Sequence, residues 1–142
     1  MTLQNTLNNW LDFEIKTLKK LNGYDNVNYL LTSDSEKYIF KTYTFTADML
    51  ALVTAENDVL IQLNNNHQFP KPIAFSDDNF IKVALINGKE TICRLLTFLD
   101  GDFLAETEHS EKLMQSLGSF LGHLDVQLLK LNNPIFKARQ WE

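Results

Sequence analysis

The spacing of apolar residues in the first third of the chain predicts a helix followed by three β-strands. Apolar side chains first recur at helical intervals, between Leu3 and Phe13. The pattern then changes to rough alternation, and two later runs are rich in β-branched and aromatic residues, which favour strands. Polar segments between these runs predict loops. The elements are expected at residues 3–13 (helix), 15–21, 27–32 and 38–45 (strands), and 22–26 and 33–36 (loops).

The middle of the chain predicts a second helix and then a β-hairpin. An apolar stripe with helical periodicity ends near Leu63, and either Thr46 or Asp48 can cap its first turn. Further along, Asn87 and Gly88 separate two apolar runs. This dipeptide is the strongest short-range signal for a hairpin, because both turn positions need a positive φ. The helix is expected at residues 46–63, and the hairpin strands at 80–86 and 89–99.

The last third predicts a long final helix over residues 109–131. Ser110 is its expected N-cap, leucines form its apolar stripe, and Asn132-Asn133-Pro134 stops it. The complete order is helix, three strands, helix, two strands, helix. Because hairpin connections join neighbouring strands, this order predicts an α+β fold with an antiparallel sheet of about five strands and one covering helix. An N-terminal helix and a long C-terminal helix complete it.

Composition and charge exclude several classes of protein. The 142 residues suit one domain or one lobe of an enzyme, and 44% hydrophobic residues is too many for a disordered segment. A net charge of −5 argues against a nucleic-acid partner. One cysteine, Cys93, cannot form an internal disulfide, and neither a signal peptide nor a membrane-spanning apolar run is visible. We therefore expect a cytoplasmic protein.

Lys41 and Glu56 are the most informative candidates for chemistry. Lys41 lies in the middle of a predicted strand, where a lysine is usually a solvent-facing residue. Glu56 lies on the apolar stripe of the next helix, where a carboxylate is costly unless it is paired. A lysine–glutamate pair of this kind positions a lysine against ATP phosphates in kinase-type folds. The turn from Gly23 to Asn26 usually only closes a hairpin, but near Lys41 its N–H groups could cover phosphates.

The remaining polar motifs favour structural roles. His123 and Asp125 superficially form a catalytic H-x-D motif, but they lie in a strongly helical segment, whereas that motif belongs on a loop. His67 and His109 are isolated, and no histidine–cysteine spacing indicates a zinc site. Cys93 lies in a predicted strand and is interpreted as a small core residue rather than a nucleophile. No metal ligand is therefore assigned in this chain.

Several sequence motifs, in order, resemble those of aminoglycoside phosphotransferase and choline kinase-like enzymes. They are LNGYDNVNYLL, YIFKTY, AENDVLIQL, FPKPIAF and ICRLLTFLDG. The hydroxylysine kinase-like branch, which includes domains fused to class III aminotransferases, is especially similar in LLTFLDG, HSEKLMQSLGSFLGHLDVQL and RQWE. The resemblance covers nearly the whole chain. It implies a protein-kinase-like N-terminal lobe that binds ATP.

The resemblance also implies a role for each position that matches a family motif. Lys41 would bind phosphates, Glu56 would hold Lys41, and the loop at 23–28 would cover the nucleotide. The hinge at 96–101 would hold adenine through the carbonyl of Thr97 and the N–H of Leu99, since adenine offers a donor and an acceptor on one edge. The implied nucleotide-binding residues are Gly23, Tyr24, Asp25, Asn26, Lys41, Glu56, Thr97, Phe98 and Leu99.

The same resemblance implies that catalysis needs residues beyond this chain. Residues 1–101 would form the nucleotide-binding lobe, and 102–142 a linker and helix leading to a catalytic lobe. That lobe would supply the catalytic residues, the ligands of Mg²⁺ and most of the pocket for a small-molecule acceptor. The expected activity is ATP-dependent phosphorylation of a small, amino-bearing hydroxyl compound, with no activity in this fragment alone.

Two alternatives remain from the sequence. The chain would instead be a non-catalytic interaction module if Glu56 pointed to solvent and Lys41 were unpaired. The second alternative is a degenerate, pseudokinase-type lobe that regulates a larger multidomain protein. Because the apolar stripe of the final helix is wide, we also expect either self-association through that helix into a homodimer or its folding back onto the lobe.

Overall fold

A computed structural model of the chain describes residues 2–24, 26–63, 68–131 and 133–138, which divide into two compact units between Phe98 and Leu99. The helices of the first unit are α1 (Leu3–Trp10) and α2 (Ala47–Gln62). Its strands are β1 (Thr17–Leu21), β2 (Val27–Thr32), β3 (Lys37–Thr44), β4 (Pro72–Ile73), β5 (Lys82–Ile86) and β6 (Lys89–Thr97). The second unit contains a 3₁₀ turn (Leu104–Glu106), α3 (Glu111–Leu129) and α4 (Pro134–Ala138).

Within the described residues, six strands form one antiparallel sheet in the order β1-β2-β3-β6-β4, with β5 also paired to β6. This arrangement confirms the predicted α+β fold. The additional strand, β4, has two residues and pairs with Leu95 and Leu96 of β6. A segment that short carries no periodicity, so the sequence indicates only an extended chain there. The sheet places β3 between β2 and β6, at its centre.

Local capping and turn chemistry fix the elements that the sequence predicts most clearly. The hydroxyl of Thr46 accepts a hydrogen bond from the N–H of Met49 at 3.0 Å, which caps α2. Asn87 and Gly88 have φ values of 51° and 76°, as the hairpin turn between β5 and β6 requires. The first helix is shorter than expected and ends at Trp10.

The two faces of the sheet carry different cores. On one face, α1 covers a large apolar cluster that includes Phe40 and Leu95, which are fully buried. Cys93 belongs to this cluster, which confirms its predicted core position, and burial raises the pKa of its thiol to about 12. On the opposite face, Val53 of α2 packs on Tyr43 and Ile92 in a smaller cluster. The helix α2 therefore covers the face that carries the side chain of Lys41, two residues before Tyr43.

In the second unit, α3 begins at the predicted N-cap. The hydroxyl of Ser110 accepts a hydrogen bond from the N–H of Leu113 at 3.1 Å. His123 and Asp125 both lie within this helix, and the imidazole Nδ1 of His123 contacts the carbonyl of Ser119 at 2.7 Å. These two residues therefore lack the loop geometry of a catalytic H-x-D motif. Among the described residues, no helix combines the length and the apolar character that crossing a membrane requires.

We predict that Leu95→Ala lowers the free energy of unfolding by about 2–5 kcal/mol, because it leaves a cavity in the larger core. Leu85→Ala is the matched control, since Leu85 is 74% exposed, whereas Leu95 is fully buried. The control should change stability by less than about 0.5 kcal/mol. Urea denaturation of both variants measures the difference. Equal losses in the two variants would mean that the sheet does not bury Leu95 as described.

Candidate functional site

Lys41 lies on the central strand, in a row of three paired residues. The strand register pairs it with Asn28 of β2 on one side and with Arg94 of β6 on the other. Because directly opposed residues in an antiparallel sheet share a face, all three side chains lie on the face covered by α2. Lys41 is half-buried there. This placement puts two cationic side chains next to each other on adjacent strands.

Glu56 of α2 forms its ion pair with Arg94. Its Oε2 atom accepts a hydrogen bond from Nη2 of Arg94 at 2.7 Å. The sequence predicted a partner for this carboxylate on the sheet face under α2, and that part of the interpretation holds. Among the described residues, Lys41 makes no ion pair with Glu56, although both lie between the sheet and α2 and the carboxylate acts electrostatically on the lysine. The predicted pairing of these two residues, direct or through water, stays a prediction. In this structure the guanidinium of Arg94 takes the carboxylate.

Arg94 is the most buried cation of this site, with only 4% of its side chain exposed. Its Nε and Nη2 atoms donate to the hydroxyl of Tyr43 at 3.0 and 2.7 Å, and its Nη1 atom donates to Oδ1 of Asn57 at 3.0 Å. A charge so far from water needs this many partners to offset the loss of its hydration. We name Lys41, Tyr43, Glu56, Asn57 and Arg94 the arginine cluster.

Electrostatics within the arginine cluster act on Lys41. Burial, followed by the positive charge of Arg94, lowers the pKa of Lys41, and the carboxylate of Glu56 acts in the opposite direction. The ring of Tyr43 lies between the two cations, with its centroid 5.9 Å from Nζ of Lys41 and 5.4 Å from Cζ of Arg94. Burial raises the pKa of the Tyr43 phenol, so this hydroxyl is neutral at physiological pH. The cluster is therefore suited to receiving a further negative charge.

The turn between β1 and β2 lies directly beyond the row of Lys41. A Cβ atom at Gly23 would lie 2.7 Å from the carbonyl oxygen of Asn26, so a glycine is required for this close approach. The predicted site residue Tyr24 has a fully exposed side chain on this turn. Asp25, another predicted site residue, lies outside the described residues, as does His67. The turn borders an open depression of about 310 Å³ lined by Lys20, Leu21, Asn22, Gly23, Tyr24, Asn26 and Val27.

The predicted adenine hinge begins at the end of β6. Thr97 is the last residue of the strand, and its N–H donates to the carbonyl of Lys71 at 2.9 Å. The N–H of Phe98 donates to the carbonyl of Lys37 at 3.2 Å. Leu99 is the first residue of the second unit, and its side chain is 43% exposed. The adenine-binding role of these three residues stays a prediction.

Sequence reasoning missed Arg94, Tyr43 and Asn57. A signal for Arg94 was present, because it is a lone charge in the apolar run ICRLL, where burial demands a counterion. The carboxylate of Glu56 required a cation, and both Lys41 and Arg94 were available. The pairing of β3 with β6 decides between them, and residues about 50 positions apart in the sequence make that pairing.

The antiparallel sheet with its covering helix is the fold of a kinase-like N-terminal lobe. The chain belongs to the phosphotransferase enzyme family APH, whose family pattern it matches over residues 17–133. No curated protein sequence matches it significantly. Among the described residues, no group of three or more His, Cys, Asp or Glu side chains is placed to hold a metal ion.

Several solved structures share this fold, among them three kinases or phosphotransferases. Amicoumacin kinase hAmiN, in complex with AMP-PNP, Ca²⁺ and Ami, is 18% identical, with a TM-score of 0.77 over 99% of this chain and 45% of that one. A microcompartment-associated aminopropanol kinase is 16% identical, with a TM-score of 0.71 over 96% and 43%. Spectinomycin phosphotransferase APH(9)-Ia, in complex with ADP and its antibiotic, is 15% identical, with a TM-score of 0.68 over 99% and 41%. The chain thus spans less than half the length of each.

We predict that Tyr43→Phe destabilises the fold by about 1–3 kcal/mol, because it leaves two buried N–H groups of Arg94 without their acceptor. Tyr24→Phe is the matched control and should have almost no effect, since the Tyr24 side chain is fully exposed. Denaturant titration of both variants gives the two free energies of unfolding. Identical values would show that the hydroxyl of Tyr43 does not help to hold Arg94.

We also predict that Gly23→Ala displaces the β1–β2 turn, because the added methyl group would contact the carbonyl oxygen of Asn26 at 2.7 Å. The backbone amide resonances of residues 22–28 should shift, while those of β3 stay unchanged. Gly122→Ala is the control for adding a methyl group, since nothing lies within 4 Å of a Cβ there. Unshifted turn resonances in Gly23→Ala would contradict the close approach.

Proposed function

We propose that this chain is the nucleotide-binding lobe of an ATP-dependent phosphotransferase that acts on a small hydroxyl compound bearing an amino group. The single observation that carries the proposal is the register of the central strands. It sets the Gly23 turn next to the row of Lys41, and we propose that backbone N–H groups of this turn and the Lys41 ammonium act together as phosphate ligands. That combination is suited to the phosphates of a nucleotide.

The spacing along the sheet also fits a nucleotide. Lys41 pairs with Arg94 and Tyr38 pairs with Thr97, so the phosphate lysine lies three residues from the end of β6. Three residues of a strand span roughly 10 Å. A nucleotide that extends from the base to the β-phosphate can bridge such a distance. In this proposal Lys41 binds phosphates, Gly23, Tyr24, Asp25 and Asn26 cover them, and Thr97, Phe98 and Leu99 hold adenine.

The related structures support the proposed ligands. Two of them were solved with a nucleotide, AMP-PNP or ADP, and the first also holds Ca²⁺. The second is an aminopropanol kinase, whose substrate name combines a hydroxyl with an amino group. By analogy we propose ATP and Mg²⁺ as cofactors and a small amino alcohol or related compound as acceptor. In the reaction, the acceptor oxygen forms a bond to the γ-phosphorus, ADP leaves, and the hydroxyl proton passes to a base.

The chain's own residues fit the nucleotide better than the metal. A turn with free space above it and a cationic cluster are present for phosphates, whereas the described residues offer no carboxylate group arranged for Mg²⁺. We propose that the metal ligands and the base belong to a catalytic lobe, with residues 1–101 as nucleotide-binding lobe and 102–142 as the connection.

We also propose that the protein forms a homodimer through α3, because Leu121 and Leu128 of this helix are exposed. Its proposed location is the cytoplasm.

One observation favours a second function. Lys41 has no carboxylate in direct contact among the described residues, because Glu56 is engaged by Arg94. A lobe that no longer orients its lysine would act as a non-catalytic module, either regulating a larger multidomain protein as a pseudokinase does or docking on a partner. Nucleotide affinity separates this alternative from the first proposal.

We predict that the 142-residue chain binds MgATP weakly and transfers no phosphate. A protein expressed to the natural end of its reading frame, if that lies past Glu142, should bind MgATP more tightly, because a second lobe would enclose adenine and neutralise the phosphate charges. Lys41→Ala should remove most of the gain. Lys19→Ala is the control, since Lys19 is an exposed lysine on the edge strand β1.

Calorimetry of both forms with ATP and magnesium measures these affinities. Equal affinity in the two forms, or no effect of Lys41→Ala, would mean that the nucleotide site lies elsewhere. Turnover of ATP by the 142-residue chain would mean that the catalytic groups are already within it.

A further inference from the structure

The arginine cluster holds unequal numbers of positive and negative charges. Lys41 and Arg94 contribute two positive charges, and Glu56 contributes one negative charge. Within the described residues, the groups that act electrostatically on Lys41 are Arg94 and Glu56, so no second carboxylate from that part of the chain corrects the imbalance there. One positive charge therefore remains in excess on the face of the sheet beneath α2.

Burial decides which cation keeps the carboxylate. Arg94 is 4% exposed, and its guanidinium also contacts Tyr43 and Asn57, which are both neutral. If Glu56 left, Arg94 would become a buried charge without a counterion, which is strongly destabilising in proteins. Lys41 is only half-buried and lies at the row next to the Gly23 turn, so solvent or a ligand can reach it. Glu56 is therefore committed to Arg94.

We propose that Arg94 is a positioning residue for the phosphate-binding lysine: it holds Glu56 in an ion pair of its own and leaves the Lys41 ammonium to be neutralised by the phosphates of the ligand. This inference rests on the proposed function. In place of a standing lysine–glutamate pair, the lysine of this chain receives its counterion only when the ligand binds. The lowered pKa of Lys41, to which Arg94 contributes, agrees with a cation that lacks a close counterion.

The test compares three variants of the 142-residue chain: Arg94→Met, Glu56→Gln, and the two combined. In Arg94→Met, Glu56 is released to Lys41, so the excess positive charge disappears and affinity for anions falls about tenfold. In the double variant the carboxylate charge is also gone and Lys41 is again an uncompensated cation, so most of the affinity returns. A purely structural role for Arg94 would give no such rescue.

Affinities for MgATP and for inorganic tripolyphosphate are measured by NMR titration, which suits weak binding, after urea denaturation has shown that each variant is folded. A double variant that binds as weakly as Arg94→Met would overturn the proposal. So would an Arg94→Met variant that binds as tightly as the wild-type chain.

A measurement on the wild-type chain does not depend on whether the variants fold. The sequence contains two arginines, Arg94 and Arg139, so the Nε–H resonance of Arg94 can be assigned by one substitution. On addition of tripolyphosphate, the pKa of Lys41 should rise while the Arg94 resonance keeps its position, because Glu56 does not move. If the Arg94 resonance instead moves to the position that it has in the Glu56→Gln variant, Glu56 has left Arg94 for Lys41, and the proposal is wrong.

The ligand-free proteins separate this inference from the proposed function. The pKa of Lys41 should rise in Arg94→Met, because a nearby positive charge is lost and a carboxylate is gained. If that rise occurs but neither MgATP nor tripolyphosphate binds any form, the nucleotide site is refuted. The effect of Arg94 on the pKa of Lys41 is still supported in that case. If the pKa of Lys41 is unchanged in Arg94→Met, the role assigned to Arg94 is refuted whatever the chain binds.

Discussion

A buried guanidinium in the centre of the sheet sets the constraint on which the candidate site depends. Arg94 loses almost all contact with water, and in exchange it donates hydrogen bonds to Tyr43 on β3 and to Glu56 and Asn57 on α2. Because Arg94 itself lies on β6, these bonds connect β6 both to the neighbouring strand β3 and to the helix α2. Because hydrogen bonds to a charged group are directional and strong, this contact specifies the position of α2 more closely than the small apolar cluster beside it.

Successive side chains of the central strand β3 point to opposite faces of the sheet, and the two faces have different roles. Phe40 points into the apolar core under α1, whereas Lys41 and Tyr43 point toward α2. A strand has a side-chain period of two, so a substitution on one face leaves the other nearly untouched. The large apolar core therefore lies on the face under α1, whereas the charged and polar groups of the arginine cluster lie on the face under α2. Such a division lets the site change without loss of the core.

Sequence alone was sufficient where local chemistry determines structure. The cap at Thr46 and the Asn87-Gly88 turn each depend on neighbours within a few residues, and the structure confirms both. The partner of Glu56 depended instead on the register of β3 against β6, which brings Lys41 opposite Arg94 although α2, β4 and β5 lie between the two strands in the sequence. In the sequence, Lys41 and Arg94 were equally possible cationic partners for Glu56. Only their burial in the structure distinguishes them. The β4 strand was missed because two residues carry no pattern.

The burial of the single cysteine has a practical consequence for spectroscopy. Cys93 is inaccessible to solvent, and with a thiol pKa of about 12 it is almost entirely protonated at neutral pH. Maleimide reagents react by addition of a thiolate to their double bond, so the native chain offers them almost no nucleophile. A cysteine introduced at an exposed position would take up a fluorophore or spin label selectively, with no need to remove the natural one. Movements of the β1–β2 turn could then be followed with one dye in an otherwise unmodified protein.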